Sequence, residues 1–151
     1  MRTGELAPDF TLPDERGETR SLSEFLTSGP VVLFFYPAAM TPGCTAESCH
    51  FRDLAKEFAE VGAQRVGISP DPVARQQEFS ARHGFDYPLL SDAEGAVAKE
   101  FGVRRSFGPL LTKRQTFVID TDRRVLEVIK SELRMAVHAD KALAVLRARG
   151  R

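Results

Sequence analysis

The chain has 151 residues, 42% hydrophobic and 28% charged, a globular profile whose length suits a single domain over residues 1–151. Lys plus Arg and Asp plus Glu both total 21, so the formal net charge is zero, which argues against a nucleic-acid or anionic-membrane partner. No apolar run approaches the ~20 residues of a membrane span, and Met1 to Asp9 lacks the basic-then-apolar pattern of a secretory leader, so a cytoplasmic protein is expected.

Turn signals at Pro13-Asp14 and Arg16-Gly17, with apolar residues at Phe10-Leu12, mark an extended N-terminal segment. Ser21–Leu26 predicts a short helix, with Ser21 as cap and Glu24 at capping-box spacing. The uninterrupted apolar run Val31–Phe35 suits a central strand covered on both faces. A helix follows from Thr41-Pro42 to Gly62, with Phe51, Leu54, Ala55 and Phe58 on its apolar stripe. Arg65–Ser69 predicts a second buried strand, and Pro70-Asp71-Pro72 opens a helix ending near His83-Gly84. Tyr87–Leu90 is short and extended, and Ala93 to Phe101 predicts another helix. Gln115–Asp120 and Val125–Ile129 flank a tight turn at Thr121–Arg124 and predict a hairpin. From Ala136 to Arg149 the stripe Ala139, Ala142, Leu143 and Leu146 predicts a closing helix. This order is that of an α/β, thioredoxin-like layer sandwich, a mixed central sheet flanked by helices, with an N-terminal β-hairpin extension.

The chemistry concentrates between Pro37 and Cys49. Cys44 falls in the first turn of a helix that leaves a buried strand, where unpaired backbone N–H groups favour negative charge. The thiolate is the nucleophilic form, so the position suits attack on an electrophile. Gly43 removes a side chain beside it and opens a close approach for a small substrate. Cys49 is five residues on. In an intact helix that spacing separates the α-carbons by about 8.6 Å, from the helix rise and radius. A disulfide needs roughly 4.4–6.8 Å. Pairing therefore requires the first turns to unwind: wound when reduced, locally open when oxidised. Cysteines are also common core residues, and the pair alone leaves a packing role open. A metal site from Cys44, Cys49 and His50 is disfavoured, because one helix does not converge three such ligands on a tetrahedron.

Here the chain resembles the peroxiredoxins, whose signature is Pro, three residues, Thr, two residues, Cys: Pro37, Thr41 and Cys44. Phe35-Tyr36-Pro37, Thr41-Pro42-Gly43-Cys44-Thr45, Cys49 and Phe51-Arg52-Asp53 resemble the Q-type subfamily, or bacterioferritin comigratory proteins, of the alkyl hydroperoxide reductase/thiol-specific antioxidant family. Further blocks carry the likeness along the chain: Ala7–Phe10, Leu12–Asp14, Gly67–Ser69, Leu89–Asp92, Phe101–Val103 and Arg114 with Thr116–Asp120.

The resemblance implies a thiol peroxidase acting on hydrogen peroxide and organic hydroperoxides. Cys44 is then the peroxidatic cysteine and Cys49 the resolving one, with thioredoxin or a similar dithiol as reductant and no cofactor. It further implies that Thr41 hydrogen-bonds the thiolate and peroxide, that Pro37 packs over the sulfur, and that Arg114 supports the developing charge. Helix capping for Thr41, strand termination for Pro37 and a solvated charge for Arg114 are the plainer alternatives. Glu47 pairs with Arg114 or with nothing. His50, His83 and His138 are expected to be surface or core residues.

Q-type members are often monomeric, which sets the expectation of a monomer or weak dimer. Where relatives carry Trp and a longer loop, this chain has Arg104-Arg105 and the compact Ser106–Thr112, and Asp122-Arg123-Arg124 stands where glycine is common. A redox sensor that switches partner binding through a Cys44–Cys49 disulfide is the alternative function. A disulfide reductase is disfavoured because no Cys-x-x-Cys is present.

Overall fold

A computed structural model describes residues 1–106 and 112–149. The N-terminal hairpin pairs β1 (Thr11–Pro13) with β2 (Thr19–Ser21), antiparallel. Its turn is built by Asp14, whose Oδ1 accepts from the N–H groups of Arg16 and Glu18 at 2.9 and 3.0 Å. α1 (Leu22–Leu26) follows directly. Ser21 caps it by accepting from the Glu24 N–H at 3.2 Å, but only half of the capping box forms, because the Glu24 carboxylate accepts from Arg20 Nε instead.

The main sheet has five strands in the order β5-β4-β3-β6-β7. β3 (Val31–Phe35) is central, with β4 (Gln64–Ser69) parallel on one side and β6 (Gln115–Ile119) antiparallel on the other. β5 (Leu89–Ser91) extends the parallel half, and β7 (Val125–Lys130) completes the hairpin with β6. Every residue of β3 is buried, because its alternating side chains feed two cores. Val31, Leu33 and Phe35 face α1, the N-terminal segment and α5 (Ala96–Glu100). Val32, Phe34 and Tyr36 face α2 (Pro42–Asp53), α4 (Val73–His83) and α6 (Met135–Arg149). Helices on both faces of a mixed sheet, with a hairpin extension, give the thioredoxin-like arrangement expected from the element order. Gly67 of β4 lets the aromatic layer close, since a β-carbon there would sit 2.8 Å from Leu89 Cδ2 and 3.0 Å from Phe34 Cζ.

Two helices differ from expectation. The helix expected to run to Gly62 is interrupted at Leu54 (φ −98°, ψ 21°), after which α3 (Ala55–Glu60) completes it. The helix expected from Ala93 begins only at Ala96. Asp92 accounts for this: its carboxylate accepts from the N–H groups of Val97 and Ala98, and Gly95 at φ 71° turns the chain into that cap. Among the described residues no helix is long and apolar enough to cross a membrane.

Candidate active site

β3 delivers the chain to the site, and a short turn reverses it into α2. Pro37 is buried at the end of the strand, and Met40 takes φ 65°, a left-handed conformation uncommon for a residue with a side chain. Thr41 is the N-cap by backbone conformation and Pro42 opens the helix, as its fixed φ favours. The Thr41 hydroxyl does not cap the helix; it donates to the carbonyl of Ala38 at 2.8 Å. Its proton is thus committed, and toward the site Thr41 offers oxygen lone pairs rather than a donor for a thiolate.

Cys44 is fully buried in the first turn of α2. Its Sγ accepts from Arg114 Nη2 at 3.2 Å, while Nη1 of the same guanidinium donates to Glu47 Oε1 at 2.8 Å. Arg114 is therefore no solvated charge: its side chain is 6% exposed and clamps two residues one helical turn apart. The Arg114 backbone N–H is held in turn by Glu132 Oε1 at 3.1 Å, and Glu132 also accepts from Arg105. Gly43 makes room for this guanidinium rather than for substrate alone, since a β-carbon there would lie 3.3 Å from Nη2 and 3.6 Å from Met135 Cε.

Glu47 is fully buried, and burial pushes its carboxyl up to about 8 against the opposing pull of Arg114. Its second oxygen, Oε2, has no hydrogen-bond partner and lies 3.5 Å from His138 Nε2. His138 is buried too, with Nδ1 against Thr116 Oγ1 and Nε2 against the Ser131 carbonyl, both at 2.8 Å. Burial lowers its pKa, so the imidazole is held neutral. Sequence reasoning places His138 among surface or core residues; it is a core residue, but one that reaches the site through Glu47. No local motif marks it, because its partners come from α2, β6 and the β7–α6 connection.

Both cysteines are free and share the unbroken helix α2. Cys49 is half-buried, and burial raises its thiol pKa while Arg52 pulls it down. Around and beyond Cys49 the helix is anchored from outside. Arg65 Nη1 donates to the Phe51 carbonyl at 2.9 Å while its fork grips Asp86. Tyr87 OH donates to the Ser48 carbonyl at 2.7 Å. Phe51 stacks on Phe34 with centroids 4.2 Å apart, and His50 meets Asp140 of α6 at 2.8 Å. The described residues contain no cluster of side chains able to hold a metal. Of the loop expected at Ser106–Thr112, residues 107–111 lie outside the described residues.

A buried thiol at a helix mouth, gripped by an arginine on a thioredoxin-like sheet, defines a thiol-redox protein. The AhpC/TSA family profile matches residues 3–128. A Mycobacterium tuberculosis protein provisionally named a peroxiredoxin is 67% identical over 150 residues, spanning 98% of this chain and 97% of that one. The crystal structure of peroxidoxin BcpB from Mycobacterium tuberculosis superposes with a TM-score of 0.95 at 65% identity, covering 98% of this chain and 97% of that one. The bacterioferritin comigratory protein of Xanthomonas campestris, whose structure addresses its alkyl peroxide reduction activity, gives 0.84 at 33% identity, covering 94% and 92%. The chain belongs to the AhpC/TSA family, the peroxiredoxins, with peroxiredoxin Q and bacterioferritin comigratory proteins among its relatives.

Proposed function

We propose that the protein is a thiol peroxidase in which Cys44 reduces hydrogen peroxide and organic hydroperoxides and Cys49 resolves the product. The observation that carries this reading is the 3.2 Å contact between Arg114 Nη2 and Cys44 Sγ in the first turn of α2. A fixed cation and a helix mouth there favour the anionic, nucleophilic form of the sulfur. The thiolate attacks the terminal peroxide oxygen: an S–O bond forms, the O–O bond breaks, and the departing oxygen takes a proton to leave as alcohol or water. Thr41, its own hydroxyl proton given to Ala38, accepts a hydrogen bond from the peroxide O–H and orients it. Arg114 stabilises the charge moving along the O–O axis, and Pro37 shields the sulfur from water. The alkyl peroxide reduction of the Xanthomonas campestris relative supports organic hydroperoxides as substrates.

The sulfenic acid on Cys44 then meets Cys49. The α2 helix is wound with both thiols free, so this step requires its first turns to open. The Cys49 sulfur displaces water, leaving a disulfide that thioredoxin or a similar dithiol reduces. The formal charge of zero is consistent with a chain that engages neither nucleic acid nor an anionic membrane surface, and a monomer suffices for the chemistry because both sulfurs lie on one helix. A redox sensor would use the same disulfide without repeated turnover.

One equivalent of hydroperoxide followed by intact mass decides between these outcomes. The expected result is the loss of two hydrogen masses, mapped to a peptide pair joining Cys44 and Cys49, with sustained peroxide consumption when thioredoxin and its reductase are supplied. Oxidation without turnover favours the sensor, and an unreacted Cys44 defeats both readings.

A further inference from the structure

Arg114 places one permanent positive charge between two acids, Cys44 Sγ at 3.2 Å and Glu47 Oε1 at 2.8 Å, in a site with little solvent. One anion there neutralises the guanidinium. Two would leave a net buried negative charge, which a low-dielectric interior disfavours. The other ionisable groups around Glu47 do not relieve this. Glu132, on the β7–α6 connection, adds negative potential, Tyr87 before β5 is kept neutral by burial, and His138 on α6 is held neutral. The anionic place is therefore single, and Cys44 and Glu47 compete for it.

The surroundings of Glu47 Oε2 show how the second arrangement is accommodated. This oxygen is buried and has no hydrogen-bond partner, yet His138 Nε2 stands 3.5 Å away. A carbonyl only accepts, so the 2.8 Å contact with Ser131 O places the proton of His138 on Nε2. Nδ1 then accepts from the Thr116 hydroxyl. The imidazole is thus fixed from both ends, with its N–H on the side of the unpartnered oxygen.

We propose that Glu47 is the charge-compensating acid of the site: it is protonated while Cys44 is a thiolate and ionises when Cys44 is oxidised, with His138 the positioning residue whose Nε2–H, otherwise donated to Ser131 O, turns to donate to the free oxygen once that oxygen is anionic. The inference rests on the peroxidatic role assigned to Cys44. In the oxidation step the sulfur gives two electrons to the peroxide, an S–O bond replaces the O–O bond, and the thiolate becomes a neutral sulfenic acid. The departing alkoxide or hydroxide gains one proton and Glu47 loses one. The charge of the buried cluster is unchanged, and no net proton is drawn from solvent. Without a compensating acid, each thiolate oxidised would draw one proton from solvent.

The difference is measurable as proton uptake. In a Cys49→Ser variant, which stops at the sulfenic acid, peroxide is added in weak buffer near neutral pH with a pH-indicator dye, and the sulfenic acid is counted by a trapping reagent. Close to no proton is expected per sulfenic acid formed. Adding Glu47→Gln, a neutral isostere, raises uptake to close to one. Adding His138→Gln raises it part of the way, and His138→Gln has no effect on uptake once Glu47→Gln is present, which a merely structural role would not reproduce. Equal uptake with and without the Glu47 carboxyl overturns the proposal, whereas failure to form any sulfenic acid overturns the peroxidase reading instead. Should Glu47→Gln fail to fold, infrared difference spectra of the Cys49→Ser protein keep the test open. A protonated carboxyl band must vanish on oxidation, and its absence in the reduced protein overturns the proposal.

Discussion

Gly43 and Arg114 stand so close that a β-carbon on the glycine would lie 3.3 Å from the guanidinium Nη2. The missing side chain therefore lets Arg114 pack closely over the helix mouth where it contacts Cys44. Gly43→Ala forces the guanidinium to give by a few tenths of an ångström, while alanine favours the helix by up to ~1 kcal/mol. The melting temperature should hold or rise, and kcat/KM for peroxide should fall roughly tenfold, equivalent to about 1.4 kcal/mol of transition-state stabilisation. Thermal melts beside peroxide-consumption kinetics check the two halves, and an active Gly43→Ala protein would refute the clamp.

The Tyr87 hydroxyl pins the Ser48 carbonyl, and that carbonyl lies in the stretch between the two cysteines. Tyr87→Phe keeps the ring and loses the hydrogen bond, a cost of about 1 kcal/mol in stability. The same loss should ease opening of α2, so that the Cys44–Cys49 disulfide forms faster after oxidation and Cys44 over-oxidises less at high peroxide. Quenched-flow mass analysis follows both.

The Glu47 carboxyl, raised from the usual 4.5 to about 8, ties stability to pH. Its folded value exceeds its unfolded value, so the native state holds more protons between those limits and stability falls as pH rises through them. Below about 4.5 the contribution is fully present, and above about 8 it is lost. Glu47→Gln removes this slope. Denaturant melts of the reduced protein across that range should show the gap between variant and parent moving in the variant's favour as pH rises.

In the β6–β7 turn Arg123 adopts φ 70°, where a side chain is strained. Arg123→Gly should raise stability by roughly 0.5–1 kcal/mol, the relief of left-handed strain less the entropy glycine adds to the unfolded chain. Activity should be untouched, because the turn is at the far end of β6 from Arg114. A thermal melt suffices.

Much of this was legible in the sequence because the determinants are local. Val31–Phe35 has the composition of a doubly covered strand, Thr41-Pro42 marks the start of α2, and Gly84 (φ 62°) closes α4 where its position implied. The cysteine spacing alone implied that a wound helix keeps the two thiols unbonded, and both are free on the unbroken α2. Elements went astray where a side chain overrode a pattern. Asp92 caps α5 late, and Arg20 draws Glu24 from its capping box. The sequence leaves the Glu47–Arg114 pair open because it joins positions 67 residues apart. His138 was missed because only the packing of α6 against α2 and β6 sets it beside Glu47.

The moorings of the far half of α2 have a consequence for how the two sulfurs share the work. The carbonyls of Ser48 and Phe51 are tied to Tyr87 and Arg65, and the ring of Phe51 is wedged against Phe34, so the ground beneath Cys49 stays put. On the proposed cycle, sulfur 44 therefore does the travelling and sulfur 49 waits. In that same cycle, the dithiol that reduces the disulfide meets sulfur 49 next to His50, whose ring is itself held by Asp140 of α6.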